Sequence, residues 1–381
     1  MSGDSEQEYF ADGMVEEIIT ALSRIRWLFV IARNSSFTYK GRSVDVKQVG
    51  RELGVRYVLE GSVRKSGQRV RITGQLIDAL SGAHLWADRF DGSLEDIFEL
   101  QDKVAVSVAG VIEPTVQAAE IRRSSERPTN DLTAYDLYLR ALAYWDSFER
   151  DRIIQVLDLL ERAIGCDPHY GSALALAAHC YAQLHVNGWT DDRETCRSTG
   201  VDLARRALRV GPDDPEVLAT AAFVLGFFGE DIDVAIAWID RCLALNPSFA
   251  RGWFWSGMLR VFAGQPDLAL DHFETFLRLS PRDRLAFYLT GIGMALFFTR
   301  RFDEAAAKLL ASLEQLPTFA VTYRLLASCY AHMGRLDEAR EIVKRLKTFA
   351  PVAVPGGKAY RNPEHRELYL SGLRLAAGEA T

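Results

Sequence analysis

A group of cysteine and histidine side chains in the middle of the sequence could bind a metal ion. They are Cys166, His169, His179, Cys180 and His185. Thiolate sulfur and imidazole nitrogen are the ligands that Zn²⁺ prefers. The spacing argues against a shared site, because Cys166 and His169 flank a helix-ending proline. His179 and Cys180 are adjacent on a predicted helix, where neighbouring side chains point about 100° apart. We therefore expect no metal site.

The sequence lacks the motifs that would indicate catalysis. It has no G-x-x-x-x-G-K-[ST] or G-x-G-x-x-G phosphate loop, no G-x-S-x-G nucleophile and no H-E-x-x-H metal motif. The acidic pair Asp213-Asp214 directly precedes Pro215 at a predicted helix start, where an acid caps the helix. We expect no catalytic residue and no cofactor, and hence a protein that is not an enzyme.

Composition narrows the classes of partner. The 381 residues include 45 basic and 51 acidic side chains, a net charge of −6, which argues against nucleic-acid binding through the phosphate backbone. The longest apolar run, "LTGIGMALFF", is shorter than the ~20 residues that span a bilayer, so we expect no membrane span. None of the five cysteines forms a C-x-x-C pair, which favours reduced thiols and the cytoplasm.

A repeat organises the second two-thirds of the chain. The prolines at 168, 212, 247, 281, 317 and 351 are separated by 44, 35, 34, 36 and 34 residues. A period near 34 with helical patterning is typical of tetratricopeptide repeats. We count six repeats over residues 133–351. Because a generic helical bundle has no reason to keep this period, the spacing predicts a solenoid of helix pairs.

The repeat that begins near residue 250 shows why each signature position has its residue type. Small Gly257 and Ala269 allow the two helices to approach closely, while Trp253 and Phe273 fill the wedge between them. Pro281 stops the second helix because it has no N–H for the hydrogen-bond ladder. This pattern predicts that Trp253 and Phe273 are buried.

Two departures from the regular repeat carry further predictions. The second repeat has ten extra residues around "HVNGWTDDRETC", which we interpret as a solvated loop in preference to a contact loop. Residues 352–381 read as a connector and a capping helix that starts at Asn362-Pro363. Its leucines would cover the open face of the last repeat; they are Leu368, Leu370, Leu373 and Leu375.

The first third of the sequence predicts an α/β domain whose helices and strands follow one another in the order α-β-α-β-β-β-α. An S-x-x-E capping box at Ser5 opens the first helix, "WLFVIA" reads as a buried strand, and "SFTYKGRS" reads as a loop. Asp45 is the expected N-cap of the second helix. Two strands then meet at a Ser66-Gly67 turn, a third follows, and a long helix opens at Ser93.

This region resembles the TolB-type amino-terminal domain. The resemblance covers about residues 2–92 and rests on "SGDSEQEYFADGM", "FVIARNSSFTYKG", "VGRELGVRYVLEGSVRKSG" and "ITGQLIDALSGAHLWADRFDG". It implies a small α/β domain over 1–123 with a mixed sheet, joined by a linker at 124–132 to the repeats. The same pair of domains is found in the C-terminal part of bacterial class III adenylate/guanylate cyclase-like proteins and, after a winged helix, in CadC-type regulators.

The resemblance also implies a strand before the "SGD" turn, in the middle of the sheet. That strand is absent from the sequence, and a sheet without it would leave unpaired backbone groups. We therefore expect that the chain is the C-terminal part of a longer protein. In some relatives these domains lie outside the inner membrane, so a periplasmic location is the alternative if an anchor lies upstream.

Repeat positions two, five and nine predict a partner-binding groove on the first helices. The candidates are Phe223, Arg251, Phe254, Met258, Tyr288, Ile292, Arg324 and Ser328. Aromatic and arginine side chains are common anchors of interfaces, although several could merely pack between repeats. For Arg251 and Arg324 we favour an exposed groove position, because a buried unpaired arginine is costly. The full carboxylate clamp known in the repeat family is missing, so recognition of a C-terminal carboxylate is not predicted.

Together these features predict a non-enzymatic signalling or scaffold module. Its partner would be a protein or peptide, such as an effector domain normally fused upstream, or a second copy of the chain. One alternative is a chain of an adenylate/guanylate cyclase whose catalytic domain lies elsewhere. The other is the sensing half of a CadC-type transcription regulator.

Overall fold

The computed structural model describes residues 5–25, 27–42, 44–66, 69–93, 97–125, 133–145, 149–280, 285–350, 352, 354 and 357–378. These residues divide into two compact units. The first comprises the described residues up to Glu120 together with Asn246–Ser248, and the second comprises the remainder.

The first unit combines helices with a small sheet. Its elements are α1 (Ser5–Ser23), α2 (Arg33–Ser36), a 3₁₀ turn (Phe37–Tyr39), α3 (Val46–Leu53), β1 (Tyr57–Ser66), β2 (Arg69–Asp78), β3 (His84–Ser93) and α4 (Ile97–Ser125). The carboxylate of Asp45 accepts a hydrogen bond from the backbone N–H of Lys47 at 3.0 Å, so the predicted N-cap of α3 is confirmed. The side chain of Ser5 and the turn residue Gly67 lie outside the described residues.

The sheet is antiparallel in the order β1-β2-β3. Val63 pairs with Ile72, and Ile72 pairs with Phe90 on the other side. The alternation of β2 buries Val70, Ile72 and Leu76, since one face of the sheet packs on the core and the other meets water. The predicted mixed sheet is therefore wrong for the described strands, which pair only in antiparallel fashion.

The predicted strand "WLFVIA" is also wrong, because residues 27–32 join no described sheet. The backbone of Ala32 is extended and leads directly into α2, which starts at Arg33. Trp27 and Val30 are partly buried against the core of the first unit, while Phe29 is 82% exposed. The predicted loop "SFTYKGRS" likewise begins with helical turns.

The long helix α4 contains an extended apolar stretch. Its Leu100–Arg122 stretch is long and apolar enough to cross a membrane by length and composition. Core helices of soluble proteins have the same properties, and Val104, Val108 and Ile112 are buried in one cluster with β2 side chains. Residues 124 and 125 of the predicted linker belong to α4, and residues 126–132 lie outside the described residues.

The described residues of the second unit form six consecutive helix pairs. They are α5 (Ala134–Trp145) with α6 (Arg150–Cys166), α7 (Gly171–Asn187) with α8 (Arg193–Val210), α9 (Pro215–Phe227) with α10 (Ile232–Leu245), α11 (Ala250–Phe262) with α12 (Pro266–Leu279), α13 (Leu285–Phe298) with α14 (Phe302–Gln315), and α15 (Ala320–His332) with α16 (Leu336–Leu346). A last helix, α17 (Pro363–Ala377), follows a connector. Asn362 caps α17 by accepting from the N–H groups of Glu364 and His365, which confirms its predicted start.

The signature positions pack as the repeat pattern predicts, with one exception. A Cβ on Gly257 would lie 2.7 Å from Cδ1 of Phe273, so only glycine allows α11 to approach α12 this closely. Ala269 is completely buried and Phe273 is 1% exposed. Trp253 is only partly buried, because it lies at the edge of the helix pair against the ring of His272. Pro281 and Pro351 lie outside the described residues.

The insertion in the second repeat does not form a long loop. Helices α7 and α8 have 17 and 18 residues, compared with 13 and 14 in α11 and α12. Only residues 188–192 connect them, so the extra residues lengthen both helices. Trp189 in this connection donates its indole N–H to the carbonyl of Phe349 at 3.3 Å. The prediction of a solvated loop is therefore wrong, and the segment makes a contact.

Candidate functional site

Four of the predicted groove residues line one cavity inside the second unit. They are Phe223, Phe254, Met258 and Arg324. The cavity has a volume of about 430 Å³ and its wall is mostly apolar, with Phe227, Phe262 and Met294 among the other lining residues. Most of these side chains belong to the first helices of repeats three to six, which is where the repeat positions placed them.

The C-terminal segment of the chain closes one side of this cavity. Val352, Tyr360 and Tyr369 contribute to its wall. The backbone N–H of Arg361 donates to the carbonyl of Phe262 at 2.9 Å, and the guanidinium of Arg361 forms an ion pair with Asp233 at 2.6 Å. The segment is therefore held at the turns between the two helices of the third and fourth repeats, and not only by the last repeat.

Arg324 does not face an open groove, and that prediction is wrong. Its side chain is 1% exposed and donates to the carbonyls of Val352, at 2.8 and 3.2 Å, and of Val186, at 2.8 Å. It thereby joins α15, the end of α7 and the C-terminal segment. The guanidinium is buried but not unpaired, because backbone carbonyls from two distant parts of the chain accept its hydrogen bonds.

Ser328 is covered by helix α17. Its hydroxyl donates to the carbonyl of Tyr369 at 3.2 Å, and the ring of nearby His332 lies 2.7 Å from the carbonyl of Leu368. A Cβ on Gly372 would collide with the Ser328 hydroxyl, so glycine is required for this close approach. Helix α17 thus lies on α15, and Ser328 holds this helix in place.

Arg251 remains accessible at the edge of the inner face. Its side chain is 34% exposed and forms an ion pair with Glu216 of the preceding repeat at 3.0 Å. Tyr138 of the first repeat donates its hydroxyl to the same carboxylate at 3.0 Å. Burial, and next the negative charge of Glu216, raise the pKa of Tyr138 well above its ordinary value. This polar cluster joins side chains from three repeats.

Tyr288 and Ile292 pack between repeats. The ring of Tyr288 lies with its centroid 4.0 Å from that of Phe276 and 4.7 Å from that of Phe254. Ile292 is partly buried against the same core. For these two residues the structure favours the packing interpretation over the groove interpretation.

His179 lies in an aromatic cluster. Its ring centroid is 4.6 Å from that of Trp145, 5.3 Å from Phe223 and 5.1 Å from Trp255, and only 3% of the residue is exposed. Burial, and next the positive charge of Arg251, lower the pKa of His179 to about 3. The imidazole is therefore neutral near neutral pH.

We expect His179→Phe to weaken the acid sensitivity of the fold. The pKa of His179 falls from 6.5 to about 3 on folding, so the unfolded chain binds an additional proton between these pH values. Stability is lost as the pH falls through this window, at about 1.4 kcal/mol per pH unit. Urea unfolding from neutral pH to about pH 5 should show a shallower loss in the variant. Equal slopes in both proteins would contradict the assigned burial.

Among the described residues, no group of three His, Cys, Asp or Glu side chains is arranged to hold a metal ion. Cys166 is exposed, whereas Cys180 is completely buried. Burial raises the pKa of the Cys180 thiol well above its ordinary value.

The sequence did not indicate that the second repeat and the C-terminal segment contribute to the cavity wall. Gln183 and Arg193 of the second repeat and Tyr360 of the C-terminal segment all line the cavity. The sequence features that could have pointed to these residues are the longer second repeat and the tyrosines Tyr360 and Tyr369, which lie in a segment interpreted as an end cap. Neither feature indicates that the segment turns back across the inner face.

Comparison with known proteins supports the repeats. A tetratricopeptide-repeat family model matches residues 296–353. Putative adenylate cyclase 3 of Rhizobium meliloti (strain 1021) is 41% identical over 227 residues, which is 60% of this chain and 39% of that protein. The chain thus spans well under half the length of this curated relative.

The chain is also similar to solved structures. The human IFIT1 dimer with m7Gppp-AAAA is 14% identical, with a TM-score of 0.50 over 91% of this chain and 73% of that one. PilW, a type IV pilus biogenesis factor, is 17% identical, with a TM-score of 0.39 over 56% of this chain and 92% of that one. At this identity the first likeness shows the fold alone. The chain therefore carries tetratricopeptide repeats and, near its N-terminus, a small antiparallel sheet.

Proposed function

We propose that this chain is a non-enzymatic interaction module of a bacterial signalling protein, and that its repeats bind a protein partner. Tetratricopeptide repeats are stacked helix pairs whose extended inner surfaces serve for binding. The observation that carries the proposal is the partly exposed Arg251, held by Glu216 at the edge of that surface. Arginine is enriched among the residues that dominate binding energy at interfaces.

The partner that we propose is an effector domain of the adenylate cyclase type. Its support is the 41% identity with a putative adenylate cyclase, of which this chain matches only a part. The competing possibility is that the chain itself belongs to a cyclase with its catalytic domain elsewhere. Activity measurements on the chain alone address this, since we expect no turnover of ATP. Turnover by the chain alone would refute the non-enzymatic proposal.

A binding experiment tests the groove. The part of the Rhizobium protein that this chain does not match is expressed separately and titrated calorimetrically with the full chain. We expect saturable binding that Arg251→Glu weakens at least about tenfold, because the reversal places two carboxylates together at the interface. The matched control is Arg278→Glu, an exposed arginine on α12. Equal affinity of Arg251→Glu and the native chain would remove this site from the proposal.

Two further assignments belong to the same proposal. We assign the first unit to the TolB type, supported by the motifs of residues 2–92 and by the helices that flank its sheet. We assign the module to the cytoplasm, supported by the spacing of its five cysteines, none of which forms a C-x-x-C pair.

A further inference from the structure

The cavity in the second unit has the size and wall of a small-molecule site. Its volume of about 430 Å³ lies within the range of about 300–1,000 Å³ that is typical of ligand pockets. Phe223, Phe254, Phe262 and Met258 provide much of its wall, and the C-terminal segment covers it. Such a wall suits an alkyl chain or an aromatic ring.

A buried positive charge lies in the same wall. Arg324 is 1% exposed, and the groups that accept its hydrogen bonds are the neutral carbonyls of Val186 and Val352. A guanidinium has five N–H groups, and three hydrogen bonds are formed with the described residues. A buried charge without a counter-charge is costly, which makes this wall favourable for an anion.

The surrounding charges strengthen this preference. Burial lowers the pKa of Arg324, the nearby Tyr369 and Tyr360 act in the opposite direction, and the positive charge of Arg193 lowers it. Arg193 also lines the cavity and lies with Nη2 3.1 Å from Nε2 of His185. The lining carboxylate of Glu194 is already engaged, because it pairs with Arg197 at 3.3 Å. Within the described part of the chain, neither Arg324 nor Arg193 forms an ion pair with a carboxylate.

A polar side chain in the wall also lacks a partner. Gln183 is 5% exposed, and its amide nitrogen lies 3.4 Å from Nε2 of His179. Its amide oxygen has no hydrogen-bond partner among the described residues. Buried amides are normally satisfied, so a lining amide with a free polar atom points to a ligand or water in the cavity.

We propose that this cavity binds an amphipathic carboxylate of the fatty-acid type. The acid group would pair with Arg324 and Arg193, and the apolar chain would lie against the phenylalanine side chains. This inference concerns a different surface from the Arg251 edge and does not depend on the protein partner proposed above. Because Val352 and Tyr360 of the C-terminal segment line the cavity, a bound ligand would stabilise the contact of this segment with the repeats.

The test uses dodecanoate and the full chain. Binding is measured by calorimetry well below micelle formation, with dodecanol and dodecylamine as neutral and cationic probes of equal chain length. We expect one saturable site for dodecanoate, at least about tenfold tighter than for dodecylamine, since a hydrogen-bonded charge pair contributes on this scale. Arg193→Gln, which keeps a polar side chain beside His185, should weaken dodecanoate binding about tenfold and leave dodecanol unchanged.

Two further variants keep the test decisive. Arg209→Gln changes an exposed arginine on the same helix, away from the cavity, and should bind dodecanoate like the native chain. Val321→Trp adds bulk to the cavity wall and should reduce the binding of dodecanoate and dodecanol alike. Absence of a saturable site in the folded chain, equal affinity for all three probes, or equal effects of Arg193→Gln and Arg209→Gln would overturn the proposal. Preferential binding of a peptide over dodecanoate would also do so.

Discussion

Replacement of Phe254 by alanine is expected to lower the free energy of unfolding by ~3–5 kcal/mol, the usual cost of deleting a fully buried phenylalanine side chain. Phe254 is 1% exposed. Its ring packs with centroid distances of 5.5 Å to Phe273, 5.3 Å to Phe287 and 4.7 Å to Tyr288. Because these rings come from two adjacent repeats, the deletion leaves a cavity at the interface between repeats, where neighbouring helices cannot easily collapse.

The neighbouring residue provides the matched comparison. Trp253 is larger but only partly buried, so Trp253→Ala should cost clearly less than Phe254→Ala, although the repeat signature alone would rank them the other way. Urea unfolding followed by circular dichroism measures both. Since repeat proteins can unfold in more than one step, hydrogen exchange of α11–α14 should show the loss locally. An equal or larger loss for Trp253→Ala would mean that the register of α11 is wrong.

The repeats were predictable because their information is local and periodic. Gly257, Ala269 and Phe273 fall at fixed spacings, and each reports on contact between two helices that are adjacent in sequence. The sheet register was partly accessible for the same reason, through the alternation of Val70, Ile72 and Leu76. The predictable contacts are therefore those between a helix or strand and its immediate neighbour in the sequence.

The candidate site was only partly predictable, because its defining contacts are long-range. Arg324 bonds to Val186, which lies 138 residues earlier, and Arg361 pairs with Asp233, 128 residues earlier. No periodicity encodes such contacts. The arginine prediction failed for a specific physical reason: a guanidinium can be buried when backbone carbonyls accept its hydrogen bonds. The "WLFVIA" prediction failed for a different reason. A short apolar run alone does not distinguish a β-strand from an extended segment that lies outside the sheet, and in this segment Phe29 is exposed.

The docking of α17 on α15 gives the second large expected effect. Gly372→Leu should release α17, because even the first carbon of the new side chain would collide with the hydroxyl of Ser328 and approach Nε2 of His332 to 2.8 Å. Neither neighbour can move away freely, since both are engaged with the backbone of Tyr369 and Leu368. Overpacking of this kind costs ~1–3 kcal/mol, which corresponds to a change of about 5- to 150-fold in the local opening equilibrium.

Hydrogen exchange of residues 363–377 measures that opening. Gly165→Leu is the matched control, because Gly165 also lies in a helix and a Cβ there would meet nothing within 4 Å. We expect faster exchange in α17 and at Ser328 for Gly372→Leu, native rates for Gly165→Leu, and an intermediate effect for Gly372→Ala. The contacts of Arg324 and Arg361 lie before α17 and should keep the connector in place, so the effect should be confined to the helix. Native exchange of α17 in Gly372→Leu would show that the helix does not occupy the inner face of the repeats in solution, and the cavity would then lack the wall that Tyr369 provides.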